Sequence, residues 1–169
     1  MSFKITWKTH VICLIIAFMM VALMWDTANK IIENFLLRPF IFYPTKYVVI
    51  NLYFYVILLM IPISIIHESL HGLAYKAFGG KVKYGFKGIY AYTQEVSEIP
   101  IERTKFLIIL MIPLIVMSIG TLLLPNWLAG IIFLLNLLGA SGDLYMSFNL
   151  IRYHWNSKII DRRYGFDVV

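Results

Sequence analysis

One cysteine, Cys13, is the whole thiol content of the sequence, so no disulfide can form within the chain. It lies in an apolar run, where it reads as a small buried hydrophobe. Charge is scarce too: 14% of residues are Asp, Glu, Lys or Arg, against about 25% in soluble domains. Hydrophobic residues make up 60%, and the mean hydropathy is +0.78. That balance excludes a soluble globular domain and points to one integral membrane domain, 1–169. Fifteen basic residues outnumber nine acidic ones. They flank apolar runs and form no separate basic face, so the excess reads as a topology signal and not as a nucleic-acid surface. Repeats and low-complexity tracts are absent. No small-residue cleavage site follows the first apolar run, where Met24-Trp25-Asp26 stands, so that run reads as a retained helix.

Four apolar stretches approach the ~20 residues that a crossing helix needs. They run from about Thr9 to Trp25, Tyr47 to Phe78, Phe106 to Leu124 and Trp127 to Ile151, with Pro125-Asn126 turning between the last two. All four tryptophans, Trp7, Trp25, Trp127 and Trp155, fall at span ends, where indole is favoured. Twelve of the fifteen basic residues precede the first span, lie between the second and third, or follow the fourth. The positive-inside rule then makes both termini and the loop 79–105 cytoplasmic, in a multi-pass protein of the cytoplasmic membrane. Asn29 to Arg38 places Ile31, Ile32, Phe35 and Leu36 on one helical face closed by Pro39, which suits a helix lying at the outer interface. After Gly79-Gly80, Val82, Tyr84 and Phe86 alternate with Lys81, Lys83 and Lys87. With a turn at Lys87-Gly88 and a return over Ile89 to Thr93, this predicts a cytoplasmic β-hairpin. The expected fold class is an all-α membrane protein: four transmembrane helices, with that hairpin between the second and third. Its expected surroundings are membrane lipids. Oligomeric state is open.

Histidine is rare, four in all, and two of them lie in His67-Glu68-Ser69-Leu70-His71 inside the second span. HExxH on a helix puts two imidazoles one turn apart on one face, able to hold Zn²⁺, and sets a glutamate beside them to act as general base. Each ionisable group within lipid costs roughly 2.5–3.5 kcal/mol on insertion scales, which marks a functional site. A catalytic zinc site takes three protein ligands and leaves one position open. Ala77 stands where a metzincin-type third histidine would be. His10 and His154 read as interface residues, and Glu95, Glu98 and Glu102 as solvated loop carboxylates.

Asp143 is the only acidic residue of the fourth span. His67 precedes Lys76 by nine residues and Asp143 precedes Arg152 by nine, and the two spans run in the same sense. Both groups therefore sit ~13 Å from a basic marker of the same membrane face. Gly139 and Gly142 would let the helices approach. The site reads as His67, His71 and Asp143 on Zn²⁺, with Glu68 catalytic. The competing reading of Asp143 is a buried carboxylate paired with Asn136, Asn149 or another helix.

HExxH on one span and an aspartate two spans later is similar to the three-helix core of the site-2 class of intramembrane zinc metalloproteases. In that class a glycine follows the aspartate, whereas here Gly142 precedes Asp143 and Leu144 follows it. HESLHGLAYKAFGGKVKYGFK, YAYT at 90–93 and NLLGASGDLY at 136–145 together resemble a family of small bacterial four-span membrane proteins described as zincin peptidases. The resemblance covers Ile61 to the C-terminus. It implies zinc-dependent peptide-bond hydrolysis within or next to the membrane, on an unidentified polypeptide substrate. An open strand edge in 82–86 or 89–93 would suit an extended substrate; a hairpin that merely caps the bundle is the alternative. Tyr84, Tyr90 and Tyr92 read as interface anchors. A non-catalytic metal-binding membrane protein, serving as accessory or interaction subunit, is the alternative function. A haem protein fits poorly, because residues one turn apart cannot clamp opposite faces of a haem. A transporter finds little pathway in four short spans.

Overall fold

The computed structural model describes residues 2–38, 41–87 and 90–169. Its helices are α1 (Trp7–Leu23), α2 (Trp25–Leu36), α3 (Val48–Ala77), α4 (Arg103–Gly120), α5 (Asn126–Gly139) and α6 (Ser141–Ile151). Its strands are β1 (Ser2–Lys4), β2 (Val82–Lys87), β3 (Tyr90–Glu95), β4 (Ile101–Glu102), β5 (Lys158–Arg162) and β6 (Gly165–Val168). The strands overturn the all-α expectation. Alongside the expected β2–β3 hairpin, a second antiparallel sheet runs in the order β1-β6-β5-β4. It is built from pieces two to five residues long, too short for alternation to stand out from the sequence. Gly165 makes it possible: its φ of 135° is open to glycine, and a Cβ there would strike the Phe3 carbonyl.

The helices also differ from four plain spans. Among the described residues, only α3 and α4, the latter continued by a 3-10 turn to Leu123, are each long and apolar enough to cross a membrane alone. The pairs α1–α2 and α5–α6 qualify only if each is one span, and they bend by 84° and 47°. The turn at Met24 lets amphipathic α2 bury Ala28, Phe35 and Leu36. The helix expected over 29–38 runs from Trp25 to Leu36; its proposed stop, Pro39, lies outside the described residues, as do Gly88 and Ile89 of the hairpin turn. The α5–α6 bend falls in Gly139-Ala140-Ser141-Gly142, where glycines weaken the helix. Neither glycine mediates close packing: a Cβ at Gly139 or Gly142 meets no atom within 4 Å. Close approach occurs instead at Gly72, where the Tyr84 phenol fills the place of a Cβ, and at Gly130 against Ile31.

Two apolar clusters fill the bundle. One joins Ile63 of α3 to Phe35, Met117, Ile131 and Leu135. The other joins Ala74 and Tyr75 of α3 to Phe106, Ile109, Leu150 and the sheet residues Ile159 and Phe166. On α3 the two histidines of HExxH lie between these clusters, so the fold sandwiches a polar layer between two apolar ones.

Candidate metal centre

The polar layer holds the three expected ligands. His67 and His71 are buried on α3, and the bend before α6 puts Asp143 in that helix's first turn, where the helix dipole favours a carboxylate. Asp143 Oδ2 lies 2.9 Å from His67 Nε2 and 3.5 Å from His71 Nε2. One ligand atom from each of the three residues lies within 4.8 Å of the others. A tetrahedral zinc with bonds of about 2.05 Å sets its ligands ~3.3 Å apart, within the span of those two distances.

The far side of each ring fixes what the near side offers. His71 Nδ1 lies 2.9 Å from the Ile109 carbonyl oxygen, so it must carry the proton and donate it. His67 Nδ1 lies 3.4 Å from Asn136 Oδ1, and the Asn136 amide Nδ2 donates to the Leu114 carbonyl at 3.4 Å. Flipping that amide would set its oxygen against a carbonyl, so His67 Nδ1 is also the donor. In its neutral form each ring turns an Nε2 lone pair toward one carboxylate oxygen. A cation among the three groups, whether a proton or a metal ion, satisfies all of them. Two imidazoles and a carboxylate are a donor set that zinc accepts, so the residues present fit the metal.

Glu68, His71 and Asp143 line a cleft of about 440 Å³. Its opposite wall is the C-terminal sheet, through Asp161, Arg162 and Gly165. The hairpin forms another wall through Tyr92, Thr93 and Gln94. Thr93 Oγ1 donates to the Glu68 backbone carbonyl at 2.7 Å, tying β3 to the motif. Tyr84 packs over Gly72 on the same helix and so docks the hairpin, whereas Tyr92 lies across Gly85, its cross-strand partner within the hairpin.

Several readings of single residues change. Asn136 orients a ligand and is not a partner of Asp143. Asn149 bonds the Tyr145 carbonyl, also away from Asp143. His10, expected at an interface, lines the cleft, whereas His154 stays exposed. Glu98 and Glu102 are exposed as expected. Glu95 is not solvated: it is 2% exposed. Its carboxylate accepts the N–H groups of Lys81, Ser97 and Glu98 and the Ser97 hydroxyl. Such a ring of backbone donors is what lets a carboxylate be buried. No run of residues announced it.

The family is decided by residues 60–157, which match a family described as "Putative zincin peptidase". The chain belongs to that family. The matched stretch holds both histidines, Glu68, Asn136 and Asp143, and stops just before β5. No curated protein and no solved structure matches the chain. Membership of a zincin family implies zinc, in agreement with the donor set above.

Proposed function

We propose that this protein is a zinc metallopeptidase that cuts polypeptides within or next to a membrane. The observation that carries it is the meeting of His67, His71 and Asp143 beside a cleft lined by His71, Asp143 and Glu68. Zinc, when bound, supplies a Lewis acid that acidifies water and polarises a carbonyl. His67, His71 and Asp143 would hold it. Glu68 takes a proton from the attacking water and returns it to the leaving amine. Three donors meet among the described residues, and an open cleft beside them suits catalysis better than the closed four-ligand site of a structural zinc.

An extended substrate would lie along β3. The Val96 N–H donates to the Lys81 carbonyl at 2.8 Å, which continues the β2–β3 ladder. Antiparallel alternation then points the backbone groups of Tyr92, Gln94 and Val96 toward β2 and those of Ala91, Thr93 and Glu95 away from it. Ala91 and Thr93 thus offer free N–H and C=O groups beside Glu68, the edge that strand addition uses. By the positive-inside rule this end of the protein is cytoplasmic.

The test is Glu68→Gln, purified in detergent, assayed for zinc by mass spectrometry and for cleavage of casein peptides. Zinc content should stay at the wild-type level while cleavage falls at least about 100-fold. Undiminished cleavage would remove Glu68 from the chemistry.

A further inference from the structure

The outward edge of β3 is not open along its whole length. Among the described residues, the backbone groups of Ala91 and Thr93 that face away from β2 have no partner. The next outward group, the Glu95 N–H, is taken: it donates to Asp161 Oδ2 at 3.2 Å. Asp161 stands on β5, across the cleft, and the same oxygen accepts the Tyr75 hydroxyl at 3.0 Å. Tyr75 is a buried residue of α3, one helical turn past His71. Among the described residues Asp161 has no basic partner of its own. Its neighbour Arg162 is turned to Glu98 at 2.7 Å and to Asp167 at 3.2 Å. The Glu95 carboxylate is turned away too, toward Lys81, Ser97 and Glu98. A side chain from another sheet therefore holds the place where the carbonyl of an added strand would bond.

We infer that Asp161 is a positioning residue that ends the substrate track, limiting how far a bound polypeptide can pair along β3 on one side of the cut. This rests on the edge-binding peptidase reading given above. A chain paired with Ala91 and Thr93 uses about four of its own residues, at ~3.3 Å each, before it reaches Glu95. There it meets an acceptor already bonded to the donor it needs. The incoming carbonyl cannot share that N–H, and displacing the carboxylate would strip two donors from a half-buried group. The chain must leave the edge at that point. Side-chain preference should then be confined to a short stretch on one side of the scissile bond.

The experiment maps cut positions in casein peptides by mass spectrometry, using zinc-loaded wild type, Asp161→Asn and Asp161→Ala. Asparagine keeps an acceptor oxygen, so Asp161→Asn should reproduce the wild-type pattern. Asp161→Ala frees the Glu95 N–H and should extend the preference by two positions on one side, one strand repeat. An unchanged pattern in Asp161→Ala overturns the stop and leaves the peptidase reading standing. Absence of cleavage by wild type overturns both. A second measurement needs no change at Asp161: amide exchange in Glu68→Gln with and without casein peptides. The Thr93 amide should slow about tenfold on adding peptide while Glu95, already protected, stays the same. Slowing at both amides overturns the stop; slowing at neither overturns edge binding.

Discussion

Replacing Asn136 with alanine removes the acceptor that fixes the His67 ring, without touching a ligand atom. Zinc affinity, measured by competition with a chromogenic chelator, should fall about 10–100-fold, the usual effect of losing such an outer hydrogen bond. Asn136→Asp retains an acceptor toward His67 and should restore most of it. Affinity unchanged in Asn136→Ala would mean that packing alone holds the ring. The meeting of His67, His71 and Asp143 was legible because helix geometry does the work. A spacing of four positions between the histidines fixes a common face, and equal spacing to Lys76 and Arg152 fixes a common depth. Asn136 was legible only as a polar residue in a span, since an amide there serves many purposes and its partner is remote in sequence. Glu95 was misread for a related reason. A carboxylate in a polar loop carries no periodicity, and its burial follows from three backbone N–H groups that converge only after the loop has folded.

Among the elements, the hairpin was legible from alternation: Val82 packs on the apolar cluster and Tyr84 on Gly72, while Phe86, third on that face, stays exposed. The α5–α6 bend was not, because a run of small residues is compatible with close packing as well as with a break. The join between α3, β3 and β5 has a titration of its own. Burial, chiefly, pushes Asp161 up to about 6 from an ordinary 3.8, against the pull of hydrogen bonds from Glu95 and Tyr75 and with the push of the nearby Glu95 charge. The folded protein therefore binds this proton more tightly than the unfolded chain. Its stabilising contribution is full below about pH 4 and is lost as the pH rises through about 6. The full swing is on the order of 3 kcal/mol. Asp161→Asn cannot ionise, so the difference in thermal midpoint between variant and wild type in detergent should widen in the variant's favour from pH 4 to pH 7. A constant difference across that range would mean that Asp161 does not titrate there.

For the molecule as a whole, the sheet order β1-β6-β5-β4 brings together the segment before α1, the loop before α4 and the segment after α6. The charge pattern had assigned those three segments to one side. A labelling experiment checks both the grouping and its orientation. In a Cys13→Ser background, single cysteines at Ile99, Asn156 and Lys46 are probed with a membrane-impermeant maleimide. The Lys46→Cys variant should label in intact cells, and the other two only after permeabilisation. Labelling of Ile99→Cys and Asn156→Cys from opposite faces would contradict the sheet. The same topology, with Asp143 on the last bent helix pair, has a consequence during biosynthesis. The histidine-bearing helix leaves the ribosome some 70 residues ahead of its aspartate. β1 waits still longer for β6. While it is being translated, the nascent chain carries two ligands and half a sheet. Its cleft wall closes only when the final hairpin is delivered, so under the proposed function a chain still in synthesis has no assembled site.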